Sequence, residues 1–281
     1  MKLIRFGEKE NEKPGVLYQG KRLDCSAEFR DWDRDFFQNN GLHKLKGYLE
    51  SSAAHLPVIS DSQRVASCIA RPGMIMCIGL NYSEHAAESN MAIPEEPIIF
   101  GKATNTLNGP YDDVAIPKNS IKTDYEVELG VVLNKNVLYL KNESEAAEAI
   151  AGYCVVNDLS ERSFQLEKGG QWIKGKSCPG FSPVGPYLAT PDELGDLTNL
   201  KMTLSVNGEL RQNGSTSFMI FRPAFIVYYL SQFMLLEAGD LISTGTPAGV
   251  GIGMDPPSYL TKGDLVELSI EGLGVQKQKM I

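Results

Sequence analysis

The chain is poor in the residues that usually announce a site: three histidines, two tryptophans and five cysteines in 281 residues. The cysteines are Cys25, Cys68, Cys77, Cys154 and Cys178, odd in number, widely spaced and without a C-x-x-C pair. That argues against a disulfide framework or a zinc knuckle and predicts a reduced, cytoplasmic chain. No apolar run approaches bilayer length, and Met1–Gly7 lacks the apolar core of a signal peptide. Positive charge is short as well. A formal net charge of -8 and a pI near 5.1 argue against nucleic acid and anionic membranes as partners. The glycines of 245–253 neither end in G-K-[ST] nor open a helix as G-x-G-x-x-G, so nucleotide binding is rejected.

What is present is an ordinary globular composition, 42% hydrophobic and 22% charged, long enough for one large domain or two unequal ones. Short strands are expected at 2–6 and 15–18, and short helices at 27–37 and 43–50. Met74–Gly79, Pro97–Phe100, Gly152–Asn157, Gly239–Ser243 and Asp264–Ile270 read as further strands. Asn207-Gly208 marks a hairpin turn within 200–210. Pro223 opens a helix, and 169–177 reads as a glycine-rich basic loop. Strands outnumber helices and do not alternate with them, so an α+β, mainly β architecture is expected rather than a doubly wound sheet. A boundary near residue 70 would separate a small α+β N-terminal domain, 1–70, from a larger domain, 71–281.

One stretch organises the rest. Over 122–132, read with a period of two, Tyr125, Val127, Leu129 and Val131 share one face and Asp124, Glu126 and Glu128 the other. Glu126 and Glu128 would lie roughly 7 Å apart along the strand. On an exposed edge they would simply meet water. Buried, they would repel, and a hard divalent cation is the simplest remedy.

Other polar residues stand where sites form. His85 and Glu88, three apart in the helix-forming run 83–88, would share a face. Asp158 ends an apolar strand, and Lys176 lies in the basic loop. Each has a plain structural reading: exposed helix residue, helix cap, surface lysine. His43 and His55 have no partner in the sequence and are left structural. Cys178 beside Lys176 has no base marked near it, which argues against a thiol nucleophile.

Taken in order, the motifs resemble the fumarylacetoacetate hydrolase family over roughly 70–275. They are Gly79-Leu80-Asn81-Tyr82-x-x-His85-x-x-Glu88, Asp124-Tyr125-Glu126-Val127-Glu128-Leu129, Gly152-Tyr153-x-x-x-Asn157-Asp158, Gly170-Gln171-Trp172-x-x-Gly175-Lys176-Ser177 and Gly239-Asp240-x-Ile242-x-Thr244-Gly245-Thr246-Pro247-x-Gly249-Val250-Gly251. The resemblance implies a mixed β-roll or sandwich-like fold and a homodimer. It implies Mg2+ or Mn2+, with Ca2+ as a stand-in, held by Glu126, Glu128 and Asp158. It also implies a 2-oxo acid substrate, Lys176 as active-site lysine, and a His85–Glu88 dyad on a short lid helix. Lys102, Gln165 and Thr246 are the implied substrate contacts.

The implied reaction is hydrolysis of a C–C bond in a 2,4-dioxo acid. The branch with Asn157-Asp158-Leu159-Ser160-Glu161-Arg162 and Gly170-Gln171-Trp172 is similar to proteins called ureidoglycolate lyase. It is also similar to hydrolases of 2,4-diketo-3-deoxy-L-fuconate or rhamnonate, which the dyad favours. Oxaloacetate decarboxylase activity and a non-catalytic metal-binding scaffold are the alternatives. The chain departs from many relatives at Cys178-Pro179-Gly180, where they carry Phe-Asp after Gly-Lys-Ser, so the distal half of the substrate is not specified.

Overall fold

The computed structural model describes residues 1–88 and 92–281. The apolar runs pair into one large mixed sheet. Its main order is Lys21–Asp24, Lys13–Tyr18, Lys2–Phe6, Ser182–Ala189, Ile150–Asn157, Val127–Leu133, Leu241–Ser243, Ile75–Gly79 and Ile98–Lys102. Neighbours along this order are antiparallel except Leu241–Ser243, which runs parallel to Ile75–Gly79. The central strands Val127–Leu133 and Ile150–Asn157 are buried at every position. This explains why they read as near-continuous Val/Leu/Ile runs rather than as an alternation.

A second sheet, ordered Glu209–Ser215, Lys201–Val206, Leu265–Ile270, Gly274–Lys279, covers part of the first. Met202, Leu204, Val206, Val266, Leu268 and Ile270 alternate inward and join Val127, Leu129, Val131 and Val155 in one apolar cluster. Helix Pro223–Ser231 closes that cluster with Ile226, Val227 and Leu230. The fold is therefore mixed and mainly β, with two packed sheets.

The acidic stretch is not one continuous strand. Thr123–Asp124 pairs with Ser160–Glu161, and Val127–Leu133 begins after a break at 125–126. Side chains supply acceptors at the break: Tyr125 N donates to Asp124, Glu126 N to Asn157 and Val127 N to Gln212. Asn157 and Gln212 lie 31 and 85 residues away, so periodicity alone does not reveal the break. The 169–177 stretch also differs from a plain loop, because Ile173–Lys176 forms a turn of helix that ends on Lys176.

The N-terminal segment shares the large sheet. Lys2 and Leu3 pair with Ala189 and Leu188, and Leu3, Val16, Trp32 and Leu45 join Ile75, Val132, Cys154 and Leu241 in a second apolar cluster. Among the described residues, no helix is long and apolar enough to cross a membrane.

Candidate active site

Antiparallel pairing brings the acidic groups together. Val127–Leu133 runs against Ile150–Asn157, with Val127 opposite Asn157 and Glu128 opposite Val156. Asp158 then donates its backbone N–H to the Glu126 carbonyl at 3.0 Å. One carboxylate oxygen each from Glu126, Glu128 and Asp158 lies within 4.8 Å of the others, and all three residues are buried.

Buried cations answer this charge. The Lys176 ammonium donates to Glu126 Oε2 at 2.6 Å and to Asp158 Oδ2 at 2.7 Å. Arg162 donates through Nη2 to Glu126 Oε1 at 2.6 Å and through Nε to Asp124 Oδ2 at 2.8 Å. Lys102 donates to Asp158, to the Leu159 carbonyl at 3.1 Å and to the Phe181 carbonyl at 2.7 Å. Glu128 is different. It accepts from the Ser243 hydroxyl at 2.6 Å and from Gly245 N–H at 2.8 Å, both neutral donors.

The protonation of the two glutamates follows from these surroundings. Burial works to raise Glu126, but the charges of Lys176 and Arg162 overcome it and hold the group at about 2. Burial also raises Glu128, the charges of Asp158 and Glu126 add to it, and the group is pushed up to about 8. Lys176 stays charged although burial opposes it, because Asp158 and Glu126 hold its proton. Four buried carboxyl groups, Asp124 included, thus face three buried cations, and Glu128 is the one of the four without a cationic partner. One hard divalent ion on Glu126, Glu128 and Asp158 fits this donor set, which is all oxygen and becomes short of positive charge once Glu128 ionises.

The dyad faces the same space. His85 Nδ1 lies 3.1 Å from Glu88 Oε2 on helix Ser83–Glu88. His85 lines a small cavity of about 60 Å³ with Glu126, Glu128, Lys176, Arg162, Gln165, Trp172 and Thr246. Phe100 and Trp172, ring centroids 5.2 Å apart, form its aromatic wall, and Lys176 Nζ sits 5.1 Å from the Phe100 centroid. Gly79 packs closely here: a Cβ would lie 3.0 Å from the Trp172 ring, which would have to give way by a few tenths of an ångström. A larger cleft of about 710 Å³ elsewhere is lined by none of these residues.

Most of the expected residues converge; some do so in other roles. Lys102, expected as a substrate contact, directs all three of its N–H groups to protein acceptors, Asp158 among them, and does not line the cavity. Thr246 lines the cavity, but its hydroxyl donates to the Val127 carbonyl and accepts from Gln212. Gln165 lines the cavity and accepts from Arg162 at 3.0 Å. Burial pushes the Cys178 thiol up, which weakens it as a nucleophile. His43 and His55 are exposed and do not line the cavity. Arg162, Phe100 and Ser243 were not expected from sequence. Only Arg162 carries a local signal, as a lone arginine four residues after Asp158.

The family model for the fumarylacetoacetate hydrolase C-terminal region matches residues 74–281. The chain belongs to the fumarylacetoacetate hydrolase family. A relative from Burkholderia multivorans is 48% identical over 99% of this chain and 98% of its own, under a provisional hydrolase name without a substrate. A solved fumarylacetoacetate hydrolase from psychrophilic Exiguobacterium antarcticum is 33% identical, with TM-score 0.85, covering 100% of this chain and 99% of that one. A maleylpyruvate hydrolase from Sphingobium sp. SYK-6, solved with manganese and pyruvate, shares the fold at TM-score 0.82 and above: 0.83, 23% identity, 100% and 99% coverage. Members of this superfamily include hydrolases and isomerases, so the family is one of enzymes.

Proposed function

We propose that this fumarylacetoacetate hydrolase family member cleaves a C–C bond in a 2,4-dioxo acid by hydrolysis, releasing pyruvate and a second carboxylate. The observation that carries the reading is one cavity lined by Glu126, Glu128, Lys176 and the His85 of a His–Glu pair, with Asp158 against the same carboxylates. Glu126, Glu128 and Asp158 would hold Mg2+ or Mn2+. The ion would supply Lewis acidity to the 2-oxo acid end of the substrate. The manganese and pyruvate in the maleylpyruvate hydrolase of the same fold support this choice.

The chain's own residues then divide the work. Glu88 holds Nδ1 of His85, which leaves Nε2 to take a proton from water. The resulting hydroxide adds to the C4 carbonyl, and the Lys176 ammonium stabilises the oxygen that becomes negative. As C3–C4 breaks, C3 receives a proton that His85 can return, and the acyl half leaves as a carboxylate. Phe100 and Trp172 keep water from the rest of the cavity. Gln165 contacts the bound acid. Residues 1–70 carry none of these groups; we assign the chemistry to 71–281 and a bracing part to 1–70. The enzyme works as a cytoplasmic homodimer in this reading.

The test is a panel of 2,4-dioxo acids, including 2,4-diketo-3-deoxy-L-fuconate and rhamnonate, assayed with Mg2+ or Mn2+ and with chelator. Hydrolysis yields two carboxylates, whereas decarboxylation yields CO2 and isomerisation splits nothing. The isomerases among structures of this fold make the last outcome the one to exclude. Glu126→Ala is expected to abolish metal-dependent turnover while far-UV circular dichroism is retained. Full activity in that variant would sink the proposal.

A further inference from the structure

Asp124 opens the acidic motif but touches none of the three carboxylates that converge. It is completely buried and its carboxylate is fully used. Oδ1 accepts from Tyr125 N–H at 2.9 Å and from Gly251 N–H at 2.7 Å. Oδ2 accepts from Arg162 Nε at 2.8 Å and from Ile252 N–H at 3.0 Å. These contacts face two ways. Through Arg162, Asp124 reaches Glu126 and Gln165. Through Gly251 and Ile252 it holds the loop 249–253, and Gly249 N–H of that loop donates to Glu88 Oε1 at 2.9 Å. Glu88 Oε2 in turn meets His85.

The loop is fitted tightly at both ends. A Cβ on Gly251 would come within 2.2 Å of the Ser258 carbonyl and 2.7 Å of Asp124 Oδ1. A Cβ on Gly253 would come within 2.4 Å of the Glu88 carboxyl carbon. So the position of Glu88, and with it the ring of His85, is set by a loop whose other anchor is Asp124.

We propose that Asp124 is the positioning residue that couples the cation-binding carboxylates to the His85–Glu88 dyad. It fixes the guanidinium that orients Glu126 and, by the same carboxylate, the loop that orients Glu88. The two halves of the reaction, activation of the 2-oxo acid and activation of water, must stay in register. A buried carboxylate bonded to both sides supplies that register. The role in turnover rests on the hydrolase reading above; the geometric coupling does not.

Asp124→Asn keeps the shape and removes the charge. It turns one acceptor into a donor that faces N–H groups, which loosens both links. Two readouts are independent of turnover: Mg2+ affinity by calorimetry, and the downfield proton resonance of His85 Nδ1–H. The variant is expected to weaken Mg2+ binding about tenfold, in the range usual for groups that orient metal ligands, and to lose that resonance. Gly253→Ala displaces Glu88 from the far side, so it is expected to lose the resonance while keeping Mg2+ affinity. In turnover, Asp124→Asn should lower kcat about a hundredfold. It should cost less in a His85→Ala background than in wild type, because the link through the loop to the dyad is already lost there and only the link through Arg162 to Glu126 remains.

A folded Asp124→Asn protein with Mg2+ affinity and resonance unchanged would overturn the proposal, as would strictly additive losses with His85→Ala. If Asp124→Asn does not fold, the resonance persisting in Gly253→Ala overturns the loop link. If wild type turns over no 2,4-dioxo acid, the hydrolase reading fails, and the affinity and resonance measurements still decide Asp124.

Discussion

Glu128 sets the pH behaviour of the cluster. Lys176 and Arg162 pair with Glu126, and Lys102 and Lys176 with Asp158, but Glu128 rests on a hydroxyl and an amide. Pushed up to about 8, it carries a proton at neutral pH that the unfolded chain would have released near the ordinary value of 4.5. Between those values the native protein binds the extra proton, so this group's contribution to stability falls as pH rises. The cation-free protein should therefore lose melting temperature from pH 5 to pH 8. Binding Mg2+ at pH 7 should expel about one proton, because a ligating carboxylate must be ionised. Calorimetry in two buffers of different ionisation enthalpy reads this directly. Glu128→Gln should abolish both the proton release and that part of the pH slope. A wild-type titration that releases no proton would show Glu128 already ionised.

At the scale of elements, the sheet delivers its site residues through a few buried side chains that bond to backbone. Asn81, fully buried at the turn after Ile75–Gly79, donates to the Phe221 carbonyl at 2.9 Å and to the Thr244 carbonyl at 2.7 Å. It accepts from Phe221 N–H at 2.7 Å. It thus ties the strand before the dyad helix to the strand end that presents Gly245 to Glu128. Asn81→Ala orphans these groups at roughly 1–3 kcal/mol each. Urea denaturation should show a loss of at least about 2 kcal/mol; a smaller loss would mean that the turn is held by other contacts. Such links explain what the sequence reveals. Helix Ser83–Glu88 and strands Ile75–Gly79 and Ile150–Asn157 are legible because local periodicity and apolar runs specify them. Strand Ser182–Ala189 is not, since Pro183, Gly185 and Pro186 mark it locally as a break and only its neighbours make it a strand. The convergence of Glu126, Glu128 and Asp158 was readable through family motifs. The bracing role of Lys102 was not, because two of its acceptors are backbone carbonyls 57 and 79 residues away.

At the scale of the molecule, residues 1–70 share a sheet and an apolar cluster with the part that carries the site. The sequence places a boundary there, yet the segment contributes strands to the large sheet. Its Trp32 is fully buried and donates to the Ile4 and Gly15 carbonyls at 2.8 and 3.0 Å. Leu3 and Val16 lie in the same apolar cluster as Val132 and Leu241. Pairing between Lys2–Phe6 and Ser182–Ala189 means that losing the first strand would bare an edge of the second. A shared sheet and a shared cluster predict one cooperative unit. The two tryptophans make this measurable, because Trp32 lies in the segment and Trp172 in the site wall. In a Trp172→Phe protein, fluorescence reports only the segment, whereas far-UV circular dichroism reports both sheets. The two signals should fall at one denaturant midpoint. A fluorescence change that precedes the loss of sheet would instead establish 1–70 as a domain that melts on its own and leaves the carboxylate cluster standing.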